Sequence, residues 1–243
     1  MMKKISHNQS VGIYYSKYYL NEHKDYFTPK RTTDEVQFLI DHLNRTPQSV
    51  CDLACGSGRH LIRFKELGIK KGFGLDPNET LLNQASEGLK NDSNFKLVNS
   101  DFASFKPDQK YDLVYTLFSS ICYCLENTEA QDLINKMVDA TSDDGLMVID
   151  TDNIFRLINF LDTQYISSEY ESSVFDAETM TLKYKQKTAD GILESTPRYY
   201  IATELKHFLA SAGINAKKIK FYGDFDNSKY SIFSNRLIIT AKK

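Results

Sequence analysis

The stretch Val50-Cys51-Asp52-Leu53-Ala54-Cys55-Gly56-Ser57-Gly58-Arg59-His60 carries a short apolar strand into a Gly-x-Gly turn and then into a helix. Glycine is needed where backbone takes positive φ or lets a ligand approach closely. The helix behind the turn offers N–H groups that have no partner within the helix. At the carboxyl end of a central strand, such a turn is a generic nucleotide cradle. A dinucleotide site would continue as Gly-x-Gly-x-x-Gly, but the third position here is Leu61.

On both sides of this turn, apolar runs alternate with amphipathic segments. Upstream, Thr32 and Glu35 have capping-box spacing and open a helix with Val36, Leu39, Ile40 and Leu43 on one face. Downstream, 59–67 reads as a helix, 71–75 as a strand, 78–89 as a helix, 95–99 and 111–116 as strands, 127–141 as a helix and 145–150 as a strand. This order implies βαβ units and a parallel sheet. After Asn153 the pattern changes to β-prone pieces, 170–175 and 180–188, which read as an antiparallel insertion. A helix over 203–212, with Thr203 as N-cap, and strands over 214–223 and 236–242 close the chain. The first thirty residues are rich in tyrosine and have no clean period.

Acids stand where a nucleoside would meet them. Asp76 ends the second strand twenty residues beyond Gly56, the place of a ribose-binding carboxylate in a βαβ site. Its two oxygens can accept bonds from both ribose hydroxyls. Asp101, followed by Phe102, ends the third strand. Either acid alone could be a turn or helix cap. Ligand-type residues after three successive strands are a stronger pattern than any one of them.

Asp52-Leu53-Ala54-Cys55-Gly56-Ser57-Gly58 resembles motif I of class I S-adenosylmethionine-dependent methyltransferases. Tyr111-Asp112-Leu113-Val114, followed by Leu117-Phe118-Ser119-Ser120-Ile121-Cys122-Tyr123, resembles the fourth-strand motif of small-molecule members. Asp143-Asp144-Gly145 matches the family's Pro-Gly-Gly turn, with Asp144 where many members have Gly. Tyr222-Gly223-Asp224-Phe225-Asp226 and Ser234-Asn235-Arg236-Leu237-Ile238 resemble a bacterial subgroup, and the Phe-Ser-Ser-Ile-x-Tyr run is shared with amino-sugar N-methyltransferases.

The resemblance implies an α/β Rossmann-like fold: a seven-stranded sheet in the order 3-2-1-4-5-7-6, strand 7 antiparallel, with a β-rich insertion or lid. It implies a cofactor-binding domain over 1–153 and 201–243, an inserted antiparallel lid over 154–200 and a cofactor cap over 1–31. The cofactor implied is S-adenosyl-L-methionine, which leaves as S-adenosyl-L-homocysteine. Its expected contacts are Tyr14, Tyr18, Arg31, Asp52, Ala54, Cys55, Gly56, Gly58, His60, Asp76, Pro77, Asp101, Phe102, Leu117 and Phe118. Tyr15 and Tyr19 are further cap candidates, since a tyrosine ring attracts a sulfonium. On the acceptor side the candidates are Tyr123, Asn153, Arg198, Tyr199 and Asp224. Each also has a structural reading, which is the commoner one for such residues: a core hydrogen bond, a helix cap or an ion pair.

Composition narrows the partners. The chain has 243 residues, enough for one domain with an insertion, and its net charge of −2 gives no basic field for nucleic acid or anionic lipid. No apolar run reaches bilayer-spanning length, and Met1 to His7 lacks the apolar stretch of a signal peptide. A cytoplasmic location is expected. Cys51, Cys55, Cys122 and Cys124 lack zinc-site spacing, so no metal is expected. The expected activity is N- or O-methylation of a small molecule by a monomer or homodimer. A protein methyltransferase and a cofactor-binding module without transfer are the alternatives.

Overall fold

The computed structural model describes residues 7–162 and 170–243. Helices α1 (His7–Lys17), α2 (Tyr19–Glu22) and α3 (Pro29–Leu43) precede strand β1 (Ser49–Leu53). There follow α4 (Arg59–Glu66), β2 (Lys71–Asp76), α5 (Glu79–Gly88), β3 (Phe95–Asn99), β4 (Tyr111–Thr116), α6 (Asn127–Ala140) and β5 (Thr141–Asp152). After these come α7 (Ile154–Asp162), β6 (Tyr170–Asp176), β7 (Thr181–Thr188), β8 (Gly191–Ser195), α8 (Ala202–Ser211), β9 (Ile219–Tyr222) and β10 (Arg236–Lys242).

The main sheet runs β3-β2-β1-β4-β5-β10-β9. Its first five strands are parallel, and β10 pairs antiparallel with β5 and β9. Counted within this sheet, the order is 3-2-1-4-5-7-6 with the last strand in sequence antiparallel, as expected. Val50, Cys51 and Leu53 of β1 are fully buried because helices cover both faces of a parallel sheet. On one face, Leu133, Ile134 and Met137 of α6 pack with Leu205 and Leu209 of α8. On the other, Val36 and Leu39 of α3 pack with Leu61 and Phe64 of α4. Burying each such side chain contributes about 1.5–3 kcal/mol.

A separate three-stranded antiparallel sheet, β6-β7-β8, lies within the segment read as an insertion. Residues 1–6 of the expected cap and 163–169 of the expected lid lie outside the described residues. Several boundaries differ from the sequence reading. α3 begins one turn earlier: the Thr28 hydroxyl accepts the Arg31 amide at 3.1 Å and Pro29 occupies the first helical position, where its missing N–H costs nothing. α8 starts at Ala202, before Thr203; Glu204 reaches back to accept the Ile201 amide at 2.9 Å. β9 starts at Ile219 because Asn215 caps a short 3-10 turn, Ala216–Lys218. The aperiodic N-terminus is helical, as α1 and α2, and α7 was not foreseen. Among the described residues, no helix is long and apolar enough to cross a membrane.

Candidate active site

The carboxyl ends of β1, β2 and β3 open onto one cavity of about 600 Å³, within the range of small-molecule sites. Its floor is the turn after β1. The Ala54 and Cys55 amides donate to the Leu75 carbonyl at 2.7 and 2.9 Å, tying the turn to β2. Ala54, Gly56 and Gly58 all have positive φ, of 68°, 54° and 74°. For Gly58 there is a second constraint: a Cβ there would lie 2.8 Å from Ala85 Cβ on α5.

Asp76 stands at the rim. Its Oδ2 accepts the Gly56 amide at 2.9 Å and its Oδ1 the Asn78 amide at 2.8 Å, so its remaining lone pairs are oriented by backbone. Burial raises its pKa. Asp101 accepts the Ser104 amide at 2.8 Å, which lowers its pKa, and Phe102 packs against the core beside it. Pro77, Ala54, Gly56, Asp101, Phe102 and Tyr123 line the cavity with Asp76. Tyr15 and Tyr19 roof it from α1 and α2, and the hydroxyls of Tyr15 and Tyr123 are 2.7 Å apart. Burial raises the pKa of all three tyrosines, which stay protonated. Among the described residues no Lys, Arg or His lines the cavity, whereas Asp76, Asp101, Glu129 and Asp132 do.

The other sequence-derived residues lie around this cavity, not on its wall. Tyr14 pairs with His23 at 3.1 Å, and Tyr18 donates to Asp190 at 2.6 Å in the turn between β7 and β8. Arg31 holds Glu35 at 2.9 Å and Asp224 at 2.8 Å. Asp52, Cys55 and Leu117 are buried beneath the turn, and Gly58 caps α4. His60 is buried with Nε2 2.9 Å from Glu35; burial, then the Arg59 charge, push its pKa down to about 4. Burial opposes ionisation of Glu35, but its bonds to His60 and Arg59 hold it at about 2. His60 therefore donates as a neutral imidazole to an ionised Glu35. Asp52 Oδ2 lies 3.8 Å from His60 Nδ1 and has no hydrogen bond among the described residues, and burial pushes the carboxyl's pKa up to about 8.

Phe118 and Ser119 follow β4 in left-handed conformations, φ 54° and 64°. Such strain persists only where the surroundings fix it. Here the Phe118 amide donates to Asp150 Oδ2 at 2.8 Å and the Ser119 amide to the Asp150 carbonyl at 3.0 Å. The ring of Phe118 lies among His23, Tyr26 and Phe27 at centroid distances of 5.2, 4.9 and 4.9 Å. Asn153 is buried and donates to the carbonyls of Ser231, Ile232 and Ser234. Arg198 pairs with Glu204 at 3.0 Å beneath the small sheet, and Tyr199 packs with Cys122, Ile154 and Leu182.

Sequence reading gave no role to Asn78, Asp152 or Arg236. Asn78 caps α5 and reaches Ser16 of α1 at 3.0 Å, tying the roof to the rim. Arg236 grips Asp150 with two bonds of 2.8 and 2.9 Å and also bonds Asp152 and Ser119. The four cysteines are buried and free, and no group of His, Cys, Asp or Glu among the described residues could hold a metal.

A model described as "Methyltransferase domain" matches residues 50–145. A dTDP-3-amino-3,4,6-trideoxy-alpha-D-glucopyranose N,N-dimethyltransferase of Streptomyces venezuelae is 29% identical over 139 residues, 56% of this chain and 54% of that protein. The match thus spans about half the length of that relative. The CcbJ methyltransferase from Streptomyces caelestis shares the fold with a TM-score of 0.70 at 18% identity, over 90% of this chain and 97% of its own. An S-adenosylmethionine-dependent methyltransferase from Clostridium acetobutylicum does so with a TM-score of 0.71 at 16% identity, over 92% and 98%. The matched segment contains the turn after β1, both strand-end acids and the strained turn after β4; residues 50–145 are similar to a methyltransferase domain, and the chain has the fold of S-adenosylmethionine-dependent methyltransferases.

Proposed function

We propose that the protein transfers a methyl group from S-adenosylmethionine to a small molecule, at nitrogen or oxygen, in the cytoplasm. The observation that carries this reading is the roofed cavity at the ends of β1 to β3, with Asp76 and Phe102 on its wall and three tyrosine rings over it. Its residues fit the cofactor. Asp76 has oriented lone pairs for the ribose hydroxyls, Asp101 and Phe102 suit the adenine, and Gly56, with no side chain of its own, lines the cavity beside them. Among the described residues the wall has carboxylates and π faces but no cationic side chain, which suits a sulfonium.

When bound, the cofactor supplies a methyl group on positively charged sulfur. The chain's own residues have three tasks. Gly56, Asp76 and Asp101 fix the nucleoside. Tyr15, Tyr19 and Tyr123 exclude water and border the space where the acceptor must stand. Ser120 and Tyr123 of the turn 118–123 would border the acceptor beside the bound cofactor, and positioning of this kind is a large source of rate. The printed name of the Streptomyces venezuelae relative, an amino-sugar N,N-dimethyltransferase, supports a small acceptor.

The test uses S-adenosylmethionine with a labelled methyl group, the purified protein, and bacterial extract separated into metabolites below about 1 kDa and macromolecules. Label entering the metabolite fraction supports the proposal. Label confined to protein or nucleic acid, or cofactor binding with no transfer to either fraction, refutes it.

A further inference from the structure

Asp152 ends β5 one residue beyond Thr151, whose hydroxyl touches Cys122 at 3.2 Å in the turn that carries Tyr123. One carboxylate oxygen accepts the Ser119 hydroxyl at 2.8 Å, and the other is held by the Arg236 guanidinium. The backbone closes the same loop, since the Asp152 amide donates to Ser119 Oγ at 2.9 Å. A carboxylate has about four acceptor positions. Among the described residues two are filled, and 44% of the side chain is accessible, against 2% for Asp150.

The charges do not balance. Two carboxylates, Asp150 and Asp152, share one guanidinium. Asp150 takes the bidentate grip and is buried, so the unneutralised charge belongs to the accessible end, at Asp152. The Asp152 charge acts on the ionisation of three groups: His23 at the end of α2, Tyr184 of β7 and Tyr199 in the segment after β8. All three are neutral near pH 7: burial lowers the pKa of His23 and raises those of the two tyrosines. The next residue after Ser119, Ser120, lines the cofactor cavity, as does Tyr123.

We propose that Asp152 receives an amine on the methyl acceptor, held rigidly by Arg236 and Ser119 so that its free lone pairs meet the N–H groups of an ammonium or amine. The proposal rests on the methyl-transfer reading and deepens it: the acceptor is an amine, not an alcohol. An ammonium held there sheds one proton to water. Its nitrogen lone pair then forms the N–C bond, and the S–C bond pair returns to sulfur, which leaves neutral. Arg236 is the positioning residue and Asp152 the one that touches substrate.

The test compares wild type with Asp152→Asn on a matched panel of small amines and the corresponding alcohols, amino sugars with their parent sugars included, using labelled S-adenosylmethionine. Expected results are label in amines, an amine KM raised tenfold or more in the variant, kcat within about threefold, and cofactor Kd within twofold. Asp152→Glu, which keeps the charge, recovers part of that KM. A measurement on wild type alone backs this up: N-acetylated counterparts of accepted amines bind at least tenfold more weakly as inhibitors. Label entering alcohols only, an unchanged amine KM in Asp152→Asn, equal binding of N-acetylated counterparts, or no amine methylated while cofactor is bound each overturns the proposal. Failure of wild type to bind S-adenosylmethionine would instead refute the reading beneath it.

Discussion

Replacing Arg236 by methionine keeps most of the side-chain stem and removes the guanidinium. Arg236 and Asp150 are both buried, and their two bonds measure 2.8 and 2.9 Å. Without the guanidinium, the Asp150 carboxylate keeps the Phe118 amide as a donor but loses its counter-ion. Breaking one side of a buried pair costs about 3–5 kcal/mol. In a chain of this size 1 kcal/mol moves the melting temperature by about 2–4 °C, so a fall of roughly 6–20 °C is expected. The damage reaches the site, because Phe118 and Ser119 hold left-handed backbone worth about 1–3 kcal/mol of strain each, and Asp150 is what holds them. Adding Asp150→Asn to Arg236→Met removes the stranded charge, and the double variant is expected to be more stable than Arg236→Met alone. Urea unfolding gives the free energies and calorimetry the melting temperatures. The reasoning is refuted if Arg236→Met loses less than about 1 kcal/mol, or if the double variant is no more stable than the single one.

Stability also depends on pH. The Asp52 carboxyl, pushed up to about 8, favours the protonated form in the fold, so stability is lost as pH rises from about 4 to 8. His60, pushed down to about 4, favours the neutral form, so stability is gained between about 4 and 6.5. The two oppose below pH 6.5. A net loss of roughly 2 kcal/mol remains between 6.5 and 8, at about 1.4 kcal/mol per unit, and Asp52→Asn abolishes it; a flat or rising wild-type curve there contradicts the assignment. Gly58→Ala meets both a φ of 74° and Ala85 at 2.8 Å, and is expected to cost about 2–5 kcal/mol by chemical unfolding. Gly213→Ala, with φ 92° and no atom within 4 Å, carries the backbone strain without the clash and is expected to cost less. Tyr19→Leu removes a π face from the roof and should weaken S-adenosylmethionine by about 2–30-fold more than uncharged S-adenosylhomocysteine in paired calorimetric titrations. Equal weakening of both argues against a cation–π role for this ring.

The sheet was legible because its strands are short apolar runs separated by helices of regular period, and because acids at the ends of β2 and β3 are local features of one βα unit. That locality is why Asp76, Pro77, Asp101 and Phe102 lie together on the cavity wall. The roof was harder to read. Tyr14, Tyr15, Tyr18 and Tyr19 are alike in sequence, and only the pitch of α1 and the start of α2 send Tyr15 and Tyr19 to the cavity, Tyr14 to His23 and Tyr18 to Asp190. Arg31 stood near the cap in sequence, but α3 turns it toward Glu35 and Asp224. Asp152 and Arg236 are 84 residues apart and meet because β10 returns antiparallel along β5, opposite one another in register. No local pattern reveals such a pair, although Arg236 stood in view within Ser234-Asn235-Arg236. Helix starts were misplaced where two caps competed, as with Thr28 before Pro29 and the later Thr32.

The central claim is that the cavity beside Gly56 holds S-adenosylmethionine through Asp76. A crystal structure of the protein grown with S-adenosylhomocysteine tests it most directly. The account predicts density filling the cavity, the ribose hydroxyls within hydrogen-bond distance of the Asp76 carboxylate, and the adenine beside Phe102. An empty cavity at saturating ligand, or a nucleoside bound elsewhere with Asp76 untouched, contradicts it.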